Sequence, residues 1–376
     1  MVNEFNDANK GKIKVEVEFV PRGTTFAYED RISSSALSNE LADIIKVDGP
    51  NISNYADSGI LLDLTPYFTK DDLSDFVEST VIQGTYKDKL YALAETESTV
   101  AVYFNKKIFE KAGITPPTEL EKAWTFQEFY EIAKKLTTSE HYGLNISREA
   151  GSGEWLTYMG TPFIWSNKGD VISDDGLKAE GYINSPAVVE VMEWFSKMAK
   201  EKIYNISPTP TEFEEGKAAM KIIGSWESNT LAQNHPNFEY GITFLPYNKV
   251  KISPSGDWSW GVTSQSKNPK EASEFIKFIT SSESSRRMSE AIRKPPARKS
   301  AFEKLTSWNE YPQNILKQQV MNTANPRPRT VAYPVITQEF AKAFDDIILG
   351  SNPKESLDKA GKAIEDTIAR QYGKTK

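Results

Sequence analysis

The sequence predicts an α/β protein divided into two or three domains. Three observations carry this reading. The chain has 376 residues, enough for more than one hydrophobic core. Strand-like and helical patterns alternate along most of its length, and several helix starts are marked by capping residues.

Taken in order, Ile13 to Val20 (I-K-V-E-V-E-F-V) alternates strictly, which predicts a strand with one buried face. A helical stretch around Ala36 to Leu41 leads into A-D-I-I-K-V-D-G-P, read as a short strand running into a Gly-Pro loop. Val100 to Phe104 (V-A-V-Y-F) predicts another strand, ahead of Asn105. Thr125 and Glu128 have the spacing of a capping box, and Trp124 can staple onto Phe129. Phe129, Ile132, Ala133 and Leu136 then form the inner face of that helix. Ser207 to Thr211 (S-P-T-P-T) reads as a polar loop, and Ala218 to Ile223 as a strand. Asn268-Pro269 with Glu271 opens a helix whose apolar face is Ala272, Phe275, Ile276 and Ile279. Asn352-Pro353-Lys354-Glu355 repeats the signal before Leu357, Ala360, Ile364 and Ile368. Such alternation argues for parallel sheets flanked by helices.

Composition narrows the function. The net charge is −7, with Lys and Arg scattered among acids and no basic block, so no nucleic-acid partner is expected. There is no cysteine, which removes disulfides, thiolate nucleophiles and Cys-ligated zinc together. No run approaches the roughly 18 apolar residues of a membrane span. The N-terminus, M-V-N-E-F-N-D-A-N-K, is polar and reads as the tail of a helix, not as a secretory leader.

Catalytic signatures are sparse. The chain has no Walker A loop, no G-x-G-x-x-G after a strand and no G-x-S-x-G. Its two histidines, His141 and His235, sit in polar, loop-like contexts far apart in sequence. Asn167 to Gly176 (N-K-G-D-V-I-S-D-D-G) lacks the spacing and terminal Glu of a calcium loop and reads as a solvated turn. No metal or cofactor site is expected. Glu95, Glu97, Asp48 and Asp257 all lie near predicted strand ends, so a glycosidase-like carboxylate pair stays open.

Four segments together resemble the carbohydrate-binding extracellular solute-binding proteins of ABC importers, the family of the maltose-binding protein. They are Leu41 to Pro66 (L-A-D-I-I-K-V-D-G-P-N-I-S-N-Y-A-D-S-G-I-L-L-D-L-T-P), V-A-V-Y-F-N-K-K-I-F-E-K-A-G-I with P-P-T-E-L-E-K-A-W-T-F-Q-E-F, Phe213 to Trp226 (F-E-E-G-K-A-A-M-K-I-I-G-S-W), and the stretch G-D-W-S-W-G-V-T from Gly256. Their order and spacing extend across nearly the whole chain. Family members carry a strand and most of a helix ahead of the equivalent of Val2-Asn3-Glu4-Phe5, a segment expected to exist physically or to be replaced.

The resemblance implies a two-lobed, hinged periplasmic-binding-protein type II fold with a central ligand cleft. Residues 1–105 with 256–308 would form one lobe, and 106–255 with 309–376 the other. The chain would cross between them near Asn105, Pro254 and Trp308. Ligands of open α/β sheets lie beyond the carboxyl ends of the strands, so Asp48, Trp226 and Gly256-Asp257-Trp258 would face the cleft. Aromatic rings cover the apolar faces of a pyranose while carboxylates and amides bond its rim. The expected ligand residues are therefore Asp48, Asn51, Glu97, Trp155, Trp226, Asp257, Trp258 and Tyr333. For Asp48 and Asn51 the alternative is loop capping; for Trp260 it is the core. Trp165 reads as structural, and Arg327 and Arg329 as surface charges. The implied function is a non-enzymatic, monomeric oligosaccharide receptor, exported and tethered or periplasmic, that serves a membrane permease. The alternatives are a secreted carbohydrate-active enzyme and a receptor for a non-sugar ligand.

Overall fold

The computed structural model describes residues 1–21, 27–150 and 153–371. Contacts divide the chain into two compact units. Unit 1 is Met1–Glu97 with Gly256–Thr306, and unit 2 is Ser98–Ser255 with Ser307–Lys376. Among the described residues the strands are β1 (Ile44–Asp48), β2 (Thr85–Tyr86), β3 (Lys89–Leu90), β4 (Ala92–Leu93), β5 (Val100–Asn105), β6 (Met220–Gly224), β7 (Tyr240–Thr243), β8 (Ser253–Ser255), β9 (Trp258–Val262) and β10 (Ala324–Pro326). No described helix is long and apolar enough to cross a membrane.

Unit 1 is built on a sheet ordered β1-β9-β4, with both pairs antiparallel. The side-chain period of two sends Ile45 and Val47 to one face, where they meet Tyr28, Ile32, Ile52, Tyr55 and Leu61. Ile44 points to the other, against Phe5, Phe275 and Ile279. The helix Pro269–Ile279 covers that second face with the apolar residues its spacing predicts. The register sets Asp48 opposite Trp258, so the strand end before the Gly49–Asn51 turn and the start of β9 share one corner.

Unit 2 holds the sheet β6-β5-β7, again antiparallel, with every residue of β5 and β6 buried. The short pair β8–β10 is parallel. Around the sheet pack the helices Phe126–Leu136, Glu154–Ser166, Pro186–Lys200, Tyr333–Ile348 and Pro353–Gln371. An aromatic cluster of Phe126, Phe163, Trp194, Phe195 and Phe344 joins several of them.

Several expectations need correction. The sheets are dominated by antiparallel pairs. Among the described residues, parallel pairing is confined to β8–β10 and single bridges such as Tyr142 with Ala218. β5 runs between strands that come from distant parts of the sequence, and alternation with helices does not dictate their direction. Ile13–Val20 forms no strand among the described residues. Ile13 and Val15 pack near Phe5 and Ile44, but Val17 and Phe19 are exposed. An alternating pattern selects a face, and a ladder still needs a partner edge. Asn268 sits at its predicted cap position without a side-chain bond, whereas Asn352 Oδ1 accepts from the Glu355 amide at 3.1 Å. The turn at Asn167–Gly176 is not wholly solvated, because Asn167, Val171 and Ile172 are buried.

Candidate functional site

In unit 2 the site is an aromatic trio. β6 ends at Gly224, and Trp226 stands at the start of the helix Glu227–Asn234. Its ring folds back over Gly224, where an added methyl would lie 2.1 Å from Trp226 Cζ3. Only glycine allows that approach. Tyr158 stacks against Trp226 with centroids 6.2 Å apart and planes 21° apart. Trp155 meets Trp226 edge-on at 5.9 Å and 76°. Both arrangements suit the ring quadrupoles. Trp155 is buried and donates Nε1–H to the Ile146 carbonyl at 2.9 Å, while Trp226 remains half-buried. Trp226 is the more accessible ring of the pair, and Trp155 backs it.

Behind the trio lies a buried ionic network. Arg327 is only 4% exposed, pairs with Glu154, and sets its guanidinium 4.6 Å from the Tyr158 ring centroid. This corrects the reading of Arg327 as a surface charge: it is buried, and the helix Glu154–Ser166 presents the carboxylate that pairs with it. Tyr333, 1% exposed, donates its hydroxyl to Glu154 Oε1 at 2.6 Å, and Thr337 donates to Oε2 at 2.7 Å. Tyr333 therefore enters the site through Glu154.

Next to Trp226 a second network surrounds Lys221 of β6. Its ammonium lies 2.9 Å from Glu227, 3.3 Å from Glu214 and 3.6 Å from Glu149. Burial works against the charge on Lys221, yet Glu227, Glu214 and Glu149 outweigh it and hold the lysine above its usual range. Burial pushes the Glu227 carboxyl up to about 7 despite the pull of Lys221. Burial also raises Glu149, helped by the charges of Glu212 and Glu214.

In unit 1 the predicted residues gather at the corner of β1 and β9. Trp258 is half-buried and meets Tyr28 edge-on at 5.2 Å and 76°. Asp48 lies directly across the ladder from it, with Asn51 one short turn further on. Asp257 is buried and engaged at both oxygens. Oδ1 accepts from the Trp258 amide at 2.8 Å, and Oδ2 accepts from the Thr96 hydroxyl at 2.6 Å and pairs with Lys294. Burial alone would raise the Asp257 carboxyl, but Lys294 and Lys46 outweigh it and hold it below the usual carboxylate range. Glu97 is fully buried, accepting from Thr80 at 2.6 Å and from the Gly256 amide at 3.1 Å. Trp260 donates Nε1–H to Glu95 at 2.7 Å, and Lys46 sits over its ring at 4.4 Å.

Each unit thus brings its own candidates together: Trp155, Trp226 and Tyr333 in one, Asp48, Asn51, Glu97, Asp257 and Trp258 in the other. Tyr158, Glu154 and Lys221 were not singled out from the sequence. Tyr158 falls four residues after Glu154 on one helix, a spacing that places both on the same face. Among the described residues no group of three or more His, Asp or Glu is arranged to hold a metal.

Two α/β units threaded by a chain that passes between them more than once, each with aromatics at a strand end, define a solute-binding protein. The chain belongs to the bacterial extracellular solute-binding protein family, whose model matches residues 1–315. It is 26% identical over 354 residues to the galactooligosaccharide-binding protein of Bacillus subtilis, covering 88% of this chain and 78% of that one. It is also 26% identical over 289 residues to the sn-glycerol-3-phosphate-binding periplasmic protein of Rhizobium meliloti, covering 70% of this chain and 64% of that one. The fold is shared with the crystal structure of the cyclic alpha-maltosyl-1,6-maltose binding protein from Arthrobacter globiformis. That match has a TM-score of 0.83 at 23% identity and covers 98% of this chain and 94% of the other.

Proposed function

We propose that this protein is the receptor subunit of an ABC importer, capturing an oligosaccharide and handing it to a membrane permease. The observation that carries this reading is the aromatic trio, in which a half-buried Trp226 is held by Tyr158 and Trp155. A flat, partly accessible ring fixed from behind offers a surface to the C–H face of a sugar at little cost in side-chain entropy. The corner with Asp48, Asn51 and Trp258 is the second proposed contact region, with Asp257 and Glu97 fixing its backbone. Trp155 and Tyr333 act from behind Trp226 and through Glu154. Similarity to a galactooligosaccharide-binding protein supports a saccharide ligand.

The receptor performs no chemistry on its ligand, works as a monomer, and acts outside the cytoplasmic membrane, periplasmic or lipid-tethered at the cell surface. Two of the four carboxylates that kept a glycosidase reading open support this: Asp257 and Glu97 are committed to Thr96, Lys294, Thr80 and Gly256. A panel of galacto-, malto-, manno- and arabino-tetraoses, screened by thermal shift and followed by product analysis, tests the proposal. At least one member should raise the melting temperature and be recovered intact. No shift with any member, or cleavage of the one that binds, would overturn it.

A further inference from the structure

Residues 95–99 (E-T-E-S-T) are polar without a break, and all of them are buried. Buried polar side chains persist where hydrogen bonds replace the water they lose. The first three serve unit 1. Glu95 holds Lys46 and Trp260, Thr96 donates to Asp257, and Glu97 accepts from Thr80 and the Gly256 amide. Ser98 and Thr99 open unit 2, where their bonds run to the aromatic trio. The Ser98 hydroxyl shares a 2.7 Å hydrogen bond with the Tyr158 hydroxyl. The Thr99 carbonyl accepts from the Ser225 amide at 2.8 Å, directly before Trp226.

Strand register explains the meeting. β5 and β6 pair antiparallel, with Val100 opposite Gly224. The Thr99–Ser225 bond extends that ladder by one residue, and the same register brings Ser98 level with Trp226. Gln319 locks the segment in place. Its Nε2 donates to the Thr99 hydroxyl at 3.1 Å and the Val100 carbonyl at 2.8 Å, while its Oε1 accepts from the Leu245 amide at 3.0 Å. Ser98 is thus a fixed point. Tyr158 comes from a different element, the helix Glu154–Ser166, and its ring plane lies 21° from that of Trp226. A phenol ring swings about its side-chain torsions, and a hydrogen bond at its far end restricts them. A surface ordered in advance lowers the entropy cost of binding.

Resting on the saccharide reading above, we propose that Ser98 is a positioning residue for the ligand platform: its hydroxyl pins Tyr158, and Tyr158 in turn sets the tilt of Trp226. Ser98 is buried and does not reach the sugar itself. It acts through the two rings, so its effect on affinity lasts only while Trp226 is present.

The test is a double-mutant cycle on the full chain, read by calorimetry with the tetraose that gives wild type the largest thermal shift in the panel. Ser98→Ala should weaken binding about threefold or more, the range of one neutral hydrogen bond. In a Trp226→Ala background the same substitution should change affinity no further. That coupling separates positioning from a general loss of packing, which would lower affinity in both backgrounds. Tyr158→Phe keeps the ring and removes the same bond, so it should reproduce the loss, and adding Ser98→Ala to it should cost nothing more. This second cycle keeps the test decisive if Trp226→Ala binds too weakly to titrate. Near-ultraviolet circular dichroism of Ser98→Ala and Tyr158→Phe should show an altered Trp226–Tyr158 signature. Wild-type affinity in both variants, or equal losses with and without Trp226, would overturn the role of Ser98 and leave the saccharide reading standing. Wild-type affinity in Trp226→Ala would instead sink the platform, and the role of Ser98 with it.

Discussion

The two units treat buried carboxylates in opposite ways. In unit 1, Asp257 has an ammonium, a hydroxyl and a backbone amide to itself, and its proton affinity falls below normal. In unit 2, three glutamates share one lysine, and Glu227 holds its proton more tightly than a free carboxylate does. The same residue chemistry yields a balanced corner in one unit and an unbalanced cluster in the other. A balanced network fixes backbone, as Asp257 and Glu97 do around Gly256. An unbalanced one relieves its excess charge by holding protons on buried carboxyls, as Glu227 and Glu149 do beside Lys221.

The largest effect expected from breaking this contrast is at the shared cation. Lys221→Met removes the lysine and leaves Glu149, Glu214 and Glu227 buried without it. Losing one partner of a buried pair costs about 3–5 kcal/mol. A denaturant melt should show unit 2 destabilised by that order; a loss under about 1 kcal/mol would mean the glutamates are already neutral.

Asp257→Asn probes the balanced side. The amide keeps the shape but weakens the bond from Thr96 and abandons Lys294. A charge-assisted hydrogen bond contributes about 1.5–3 kcal/mol, and a melt should register a loss in that range. Unchanged stability together with weakened sugar binding would make Asp257 a ligand residue and not a backbone anchor.

Gly224→Ala targets the ring. Its methyl has no space beside Trp226, so the ring must swing away, and overpacking typically costs about 1–3 kcal/mol. Near-ultraviolet circular dichroism should lose the Trp226–Tyr158 signature and affinity should fall. An unchanged spectrum would show that the ring is not seated against Gly224.

A pH effect sharpens the comparison by its sign. Glu227 titrates above its ordinary value, so its contribution to stability is complete below about pH 4.5 and is lost as pH rises through about 7. Asp257 titrates below its ordinary value, so its contribution is present at neutral pH and is lost as pH falls through its lowered value. Melting Glu227→Gln from pH 4 to 8 should give a flatter profile than the wild type over that first window. A profile parallel to wild type would remove Glu227 as the titrating group.

Local signals proved the most legible in the sequence. Thr125 and Glu128 form the reciprocal capping box, Trp124 lies 6.4 Å from Phe129, and Ala272, Phe275, Ile276 and Ile279 are buried together. Each rests on neighbours within a few residues. Strand direction and the fate of Ile13–Val20 depend on partners hundreds of positions away, which periodicity does not encode. Trp226 stood out because its place after a strand could be read along the chain. Arg327 could not be read that way, since it pairs with Glu154, 173 residues distant. Lys221 reads as one more residue of an apolar strand until Glu149, Glu214 and Glu227 converge on it.

The central claim is that Trp226 is the platform on which the ligand lies, and one titration tests it most directly. Trp226→Ala should keep the wild-type far-ultraviolet spectrum and a melting temperature within a few degrees. Calorimetry with the tetraose that shifts wild type most should show affinity reduced by about tenfold or more, since an aromatic contact contributes about 0.5–1.5 kcal/mol beyond the area it buries. Wild-type affinity in a folded Trp226→Ala protein would place that ring in the core and contradict the account.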